Sequence, residues 1–385
     1  MKKLLFIINS LVGAGAERIV VSLVNHCLFR DNFQLYLLLL EGGEIKYNIH
    51  KSVNVFVALD LGGKTSLRNK ISKTPLLIKK TREIKKKIQP DITMSHLAFS
   101  NIINVLTRQD REDIIITEHT DPSTPSLINL NKPFYPHIKS YFYKKADQIV
   151  AVSKGVKNSI IKRLKVEPSK VTQIYNPIDT EYIKKKYEED IYDQNKTDKI
   201  FARKSVKIIS VGRLIKDKGY DDGIKAIKLL RTKFSRNIDY IIIGEGELLG
   251  KLKQLCHDLY LTEHVHFIGW QENPFKYIAK ADIFVHPSRR EGFGNVIAEA
   301  MACNCVVIAT DCKSGPAEIL EDGKCGVLVP HTNPELLAEG IEGLIANPQL
   351  VEKYKILGGK RIQDFEANKI INEYLNFLKN LNERK

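Results

Sequence analysis

No apolar run in these 385 residues approaches the roughly 20 that a membrane-spanning helix needs. The run nearest the start, Leu4–Ile8 behind Met-Lys-Lys, soon meets Asn9, Ser10 and a glycine-rich turn, so it reads as a buried first strand and not as a signal peptide. Cysteine is scarce and poorly spaced for metal. Six stand at 27, 256, 303, 305, 312 and 325, none in C-x-x-C, and Cys303-Asn-Cys305 is not zinc spacing. Reduced thiols of a cytoplasmic protein are the expectation. Short-period repeats and low-complexity tracts are lacking too. Acid is in deficit, with 45 Asp and Glu against 60 Lys and Arg, a net charge of +15. Such an excess calls for an anionic partner or surface. Nucleic acid would explain the charge, but the aromatic-rich binding signatures are missing, so no nucleic-acid partner is expected.

What the chain does contain is a regular alternation. Apolar runs at Leu4–Ile8, Leu35–Leu40, Val53–Ala58, Ile114–Thr117 and Gln148–Val152 read as strands. Helical periodicity fills gaps at Glu17–Phe29, Ile71–Ile88, Asn101–Arg108 and Lys154–Leu164. A second series follows, with strands at Val206–Val211, Tyr240–Ile243, His264–Ile268, Ile283–His286 and Cys305–Ala309. Its helices are at Tyr220–Leu230, Leu248–Leu261, Asn295–Ala302 and Pro334–Ile345. Continuous apolar strands separated by helices predict parallel sheets covered on both faces. The expected architecture is α/β, two doubly wound Rossmann-like domains facing a cleft. The expected bounds are 1–180, a charged linker at 181–204, 205–360, and a last amphipathic helix in 361–385 returning to the first domain.

The densest signal is Glu291-Gly-Phe-Gly-Asn-Val-Ile-Ala-Glu299, two carboxylates eight positions apart around a glycine turn and a helix start. A helix beginning near Phe293 would leave the amides of Gly294, Asn295 and Val296 as unpaired donors, good for phosphate. Glu291 and Glu299 would then offer two acceptors for sugar hydroxyls. Val211-Gly-Arg213 through Lys218-Gly219 lies at another strand-to-helix junction, where Arg213 and Lys218 can neutralise a pyrophosphate. The bland alternative is two solvated cations. Gly244-Glu-Gly246 and Gly269-Trp270 are further strand-end turns, whose backbone could read a base edge; Trp270 could equally be packing. Lys313-Ser-Gly315-Pro-Ala-Glu318 follows a strand as well, and Glu318 could simply cap or pair.

In the first half, His119 ends the Ile114–Ile116 run, with Glu118 its competitor for any acid or base role and His96 a weaker candidate. Gly13-Ala-Gly15-Ala-Glu-Arg18 begins like a dinucleotide fingerprint, but Arg18 stands where the third glycine belongs. A glycine turn that lets a ligand approach the backbone is simpler. Between Lys64 and Lys87 ten Lys and Arg face only Glu83, interleaved with Leu76, Leu77, Ile84 and Ile88. That suits a basic amphipathic helix on anionic lipid, or an ordinary solvated face. Tyr135, Tyr141, Phe142 and Tyr143 beside Lys139, Lys144 and Lys145 form either a second interfacial patch or core.

Taken in order, Gly15-Ala-Glu-Arg18, Glu118-His119, Val152-Ser-Lys154, Tyr175-Asn-Pro177, Gly212-Arg213 to Lys218-Gly219, Gly244-Glu-Gly246 and Glu291 to Glu299 resemble the retaining GT-B glycosyltransferases of family 4 (glycosyltransferase group 1) along nearly the whole chain. The resemblance implies a UDP-sugar donor held by the second domain. Arg213 and Lys218 would hold its diphosphate, Glu299 the ribose, and Glu291 the sugar. Gly246 and the amides from Phe293 through Val296 would line the site. His119 would reach the sugar from the first domain, and the Gly13–Gly15 loop would touch phosphate or acceptor. Relatives often carry two adjacent glycines where this chain has Ala14-Gly15. No metal and no cofactor is implied. The stretch from Ala302 through Gly315 and the basic segment are similar to enzymes extending undecaprenyl-diphosphate-linked glycans, often with GalNAc or GlcNAc. That implies a lipid-linked diphosphate acceptor and peripheral attachment to the cytoplasmic leaflet. A UDP-sugar 2-epimerase of the same fold is the alternative.

Overall fold

The computed structural model describes residues 1–13, 15–61, 67–122, 135–189 and 197–381. Two compact units divide the chain, Met1–Pro177 with Asn368–Lys385, and Ile178–Ala367.

The first unit is built on seven strands: β1 (Lys2–Ile8), β2 (Phe33–Leu39), β3 (Asn54–Val57), β4 (Ile92–His96), β5 (Asp113–Glu118), β6 (Gln148–Ala151) and β7 (Val171–Gln173). Their order is β3-β2-β1-β4-β5-β6-β7, and every pair is parallel, with Leu4 opposite both Leu35 and Ile92. Leu4 through Ile8 are fully buried, as the centre of a sheet covered on both faces requires. The order reverses between β1 and β4, where ligands of such sheets bind at the carboxyl ends of the strands.

Six parallel strands form the second unit: β8 (Val206–Val211), β9 (Ile238–Ile243), β10 (Val265–Gly269), β11 (Ile283–His286), β12 (Val306–Asp311) and β13 (Val327–Pro330). Their order is β10-β9-β8-β11-β12-β13, with the reversal between β8 and β11. Both units are therefore doubly wound α/β.

The apolar runs read as strands left out β4, which His96 ends, and two edge strands, β7 and β13. Strand β7 is three residues long. Strand β13 ends in Pro330, at an edge, the place where a sheet tolerates proline. The single helix expected over Glu17–Phe29 is two, Gly15–Asn25 and Cys27–Asn32, because His26 caps the second through Nδ1 to the Leu28 amide. The stretch 181–204, read as a linker, carries helical residues of Thr180–Tyr187 and Thr197–Phe201, anchored by buried Ile183 and Ile200. In the tail helix Ala367–Asn380, Ile370, Ile371, Tyr374 and Leu378 are buried, and Tyr374 lies 6.4 Å from the Phe29 ring.

The basic segment is the helix Leu67–Ile88; its expected start at Lys64 lies outside the described residues. Its apolar side belongs to the core: Leu77 and Ile88 are buried with Leu5, Ile7 and Leu38, and Ile84 packs on them. Lys85 is buried as well, 2.8 Å from Glu112 and 2.8 Å from Asn104 Oδ1. Leu76, Lys73, Lys79, Lys80, Lys86 and Lys87 remain exposed. Of the aromatic patch, Tyr143 is core and Tyr141 is exposed, while the Tyr135 side chain lies outside the described residues. No helix among the described residues is long and apolar enough to cross a membrane.

Candidate active site

In the second unit the candidate site residues lie at the carboxyl ends of β8, β9, β11 and β12. After β8 the chain passes Gly212 and Arg213, makes a 3-10 turn at Lys216–Lys218, and enters the helix Tyr220–Thr232 through Gly219. Gly219 has φ +63°, and a Cβ there would lie 2.0 Å from the Pro287 carbonyl oxygen. Only glycine fits both the left-handed backbone and the contact. The loop after β11 thus rests directly on the turn carrying Lys218.

Arg289 fastens the two together. Its guanidinium reaches Asp221 and Asp222 at 2.7 Å each and the Lys216 carbonyl at 3.0 Å. Its amide donates to Asp217 O at 2.8 Å. Held this way, Lys218 Nζ lies 2.5 Å from Glu291 Oε1, and His286 Nε2 lies 2.8 Å from the same oxygen. Burial pushes the Glu291 carboxyl up, but the Lys218 charge and the His286 hydrogen bond outweigh it and hold the group well below the usual carboxylate range. Glu291 is thus an ionised acceptor. Burial likewise lowers His286, against the pull of Glu291.

The helix after Glu291 is Asn295–Ala302, starting later than the expected Phe293 because Gly294 has φ +95°. Phe293 is buried with its ring edge-on to Phe365 at 5.3 Å, so it can offer a ligand only its backbone. A Cβ on Gly315 would fall 1.9 Å from the Phe293 carbonyl oxygen, so the loop after β12 packs on the Glu291 turn. Asn295 and Val296 are half-buried in the first helical turn, and Glu299 is buried on the same helix. The hydroxyls of Ser288 and Ser314, in the loops after β11 and β12, are buried without a hydrogen-bond partner among the described residues.

Arg213 is exposed and forms no ion pair with a described residue. A Cβ on Gly246 would meet the Leu214 carbonyl oxygen at 2.4 Å and one on Gly244 the Gly212 oxygen at 2.0 Å. These glycines have a packing reason: they let the turns after β8 and β9 stack. Trp270, at the end of β10, is 45% exposed and therefore not a core residue.

In the first unit, the turn after β1 is tied by Glu17, which accepts from the Gly13 amide at 2.7 Å and from Ser10 at 3.2 Å. Gly15 opens the next helix, and Ala14 lies outside the described residues. His119, beyond β5, places Nε2 2.9 Å from Nδ1 of His96 at the end of β4. Burial lowers the His119 pKa to about 4. Glu118 is closed as an acid or base. It is buried, ion-paired with Lys139, and accepts from Tyr143 OH at 2.6 Å and Thr120 Oγ1 at 2.9 Å. Burial raises its carboxyl, and Lys139 more than reverses this.

Sequence reasoning missed His286 and Arg289. The signal for His286 was available, since it ends a strand as His119 does; Arg289 carries none, because its partners lie 67 and 68 residues away.

Two family descriptions match the chain, "Glycosyltransferase Family 4" over residues 13–182 and "Glycosyl transferases group 1" over 192–361. An N-acetylgalactosamine-N,N'-diacetylbacillosaminyl-diphospho-undecaprenol 4-alpha-N-acetylgalactosaminyltransferase of Campylobacter jejuni is 32% identical over 381 residues, 98% of this chain and 100% of its own length. Among solved structures, HepE of Anabaena in complex with UDP-glucose superimposes with a TM-score of 0.82 at 21% identity, covering 99% of this chain and 100% of that one. Sucrose-phosphate synthase of Thermosynechococcus elongatus gives 0.84 at 16%, covering 100% of both. These structures share the fold of two doubly wound units.

Proposed function

This chain belongs to the group 1, family 4 glycosyltransferases, and we propose that it moves an N-acetylhexosamine, GalNAc or GlcNAc, from a UDP-sugar to a lipid-linked diphosphate glycan, with retention and without a metal. The observation that carries the donor half is the Lys218–Glu291–His286 cluster beside the helix start at Asn295. A cation, an ionised acceptor and helix-end amides within one rigid set of loops suit a sugar joined to a diphosphate. The acceptor half is supported by the Campylobacter relative, named for a diphospho-undecaprenol-linked glycan acceptor, at 32% identity over nearly the full length of both chains.

On this reading Arg213 and Lys218 meet the charge that develops on the leaving UDP, helped by the amides from Gly294 to Val296. Glu299 accepts from the ribose hydroxyls and Glu291 from the sugar. His119 is the first unit's candidate for contact with the donor sugar. The C1–oxygen bond to UDP breaks, the acceptor oxygen bonds to C1 on the same face, and the departing phosphate oxygen takes the acceptor's proton. No protein base is needed. Exposed lysines of the helix Leu67–Ile88 would hold the enzyme to the anionic cytoplasmic leaflet, where such an acceptor resides.

The test is UDP release from a panel of UDP-hexoses and UDP-N-acetylhexosamines, with and without an undecaprenyl-diphosphate-sugar acceptor, in EDTA. Acceptor-dependent release with a UDP-N-acetylhexosamine is expected. Conversion of the donor alone to an epimeric UDP-sugar, without acceptor and without net UDP release, would instead indicate a 2-epimerase, and loss of activity in EDTA would refute metal independence.

A further inference from the structure

His96 and His119 come from different strands, 23 residues apart, yet their rings meet with centroids 5.2 Å apart and with Nδ1 of one 2.9 Å from Nε2 of the other. His96 is fully buried and stacked on Phe6 at 6.0 Å. Its other nitrogen, Nε2, has no hydrogen-bond partner among the described residues. A structural histidine in a core ordinarily has its ring nitrogens satisfied; this one spends its single hydrogen bond on the candidate catalytic imidazole.

A neutral imidazole has one N–H and one lone pair. Burial holds both rings neutral near pH 7, His119 at about 4 and His96 well below its ordinary value. Two arrangements then satisfy the 2.9 Å contact. If His119 Nε2–H donated, His96 would carry its own proton on Nε2, a buried N–H with no acceptor. If His96 Nδ1–H donates, His96 Nε2 is only a bare lone pair. Buried donors left without an acceptor are rarer in folded proteins than under-satisfied acceptors, which favours the second arrangement. Glu118 cannot intervene, being occupied by Lys139 and Tyr143.

We propose that His96 is a positioning residue for His119: it donates Nδ1–H to His119 Nε2 and so holds His119 in the tautomer whose proton sits on Nδ1. His119 then meets a ligand as a hydrogen-bond donor to a hydroxyl oxygen, and not as a base. The inference rests on the reading of His119 as the first unit's catalytic side chain, and it agrees with a transfer in which the leaving phosphate takes the acceptor's proton. The tautomer is set by the partner of the other ring nitrogen.

The experiment is a long-range proton–nitrogen correlation spectrum of the full-length protein, labelled with nitrogen-15 histidine, at pH 7. His119 is expected to show a protonated Nδ1 and an unprotonated Nε2, a result that needs no variant. His96→Asn, whose amide keeps a donor near the Nδ1 position, should retain that tautomer and most of the turnover. His96→Leu removes the donor facing His119 Nε2, so the His119 proton should no longer be held on Nδ1 alone and both tautomers should appear. It should also lower kcat about 10–100-fold, the range of one hydrogen bond lost at a buried polar group, with KM for the donor little changed. A wild-type His119 protonated on Nε2, or an unchanged tautomer in a folded His96→Leu protein, would overturn the proposal. If the tautomer behaves as expected but His119→Ala keeps full activity, the positioning holds and the catalytic reading of His119 fails.

Discussion

Lys218 Nζ and Glu291 Oε1 stand 2.5 Å apart although 73 residues separate them in sequence. The pair exists because Gly219 lets one loop lie on the other and Arg289 ties both down. It also creates a competition. On the proposed reading, a diphosphate at Lys218 would share the ammonium with Glu291, and a sugar hydroxyl at Glu291 would meet an oxygen already turned towards two donors. Both ligand groups would then meet charges that are already oriented, leaving little reorganisation for the reaction itself.

Lys218→Ala and Arg213→Ala should each lower turnover by roughly 10²–10³, the scale of losing one preorganised donor to developing charge. They should part company in stability. Arg213 is exposed without an ion pair among the described residues, so its loss should change folding free energy by no more than about 0.5 kcal/mol. Lys218→Ala strands the 10%-exposed Glu291 carboxylate with His286 alone and should lower the melting temperature as well. UDP-release kinetics and thermal melts on the same preparations check both halves. Full activity in both variants would remove these cations from the site.

Gly219→Ala should damage the same pair without touching either charge. A methyl 2.0 Å from the Pro287 oxygen must displace one of the loops, and the left-handed backbone adds about 1–2 kcal/mol for a residue with a Cβ. Gly343→Ala is the internal control. That glycine is exposed in the helix Pro334–Ala346 with nothing within 4 Å of its would-be Cβ, and alanine there should stabilise by about 0.5–1 kcal/mol. Chemical denaturation of both variants decides it; equal effects would mean that the loop contact is soft.

The strands and helices were legible because each carries its own period, and the Glu291–Glu299 unit because its parts are contiguous. The partnerships were not. Whether Glu118 could act as an acid depended on Lys139, 21 residues on and a helix away, and nothing in Glu118-His119-Thr120 announces that partner. His96 looked weaker than His119 because a sequence ranks strand-end histidines one at a time, whereas the parallel pairing of β4 with β5 is what sets them side by side. The basic helix was ambiguous for a related reason. Leu77, Ile84 and Ile88 have the spacing to meet either lipid or core, and only the packing against Leu5 and Leu38 decides.

The remaining outward face of that helix makes a separate prediction. Replacing Lys73, Lys79, Lys86 and Lys87 by Gln should weaken binding to vesicles rich in anionic lipid by about 100-fold or more, at roughly 1 kcal/mol per basic residue near the surface. Turnover on a short water-soluble acceptor should be unchanged. Flotation at low and high salt measures this; equal flotation of wild type and variant would shift the membrane contact elsewhere or abolish it.

Acid should probe the His96–His119 pair through stability. The His119 pKa falls from an ordinary 6.5 to about 4 because burial disfavours the charged ring, against the raising influence of Glu118. The unfolded chain therefore binds more protons than the folded one between these two values. Stability contributed by keeping the ring neutral is present above pH 6.5 and is lost as pH falls towards 4, by about 3 kcal/mol at most. His119→Gln cannot take up that proton, so its unfolding free energy should fall less steeply over this window than that of the wild type. Urea denaturation at half-unit pH steps reads the two slopes. If they coincide, His119 titrates in the folded protein at its ordinary value, and the neutral imidazole has to be given up.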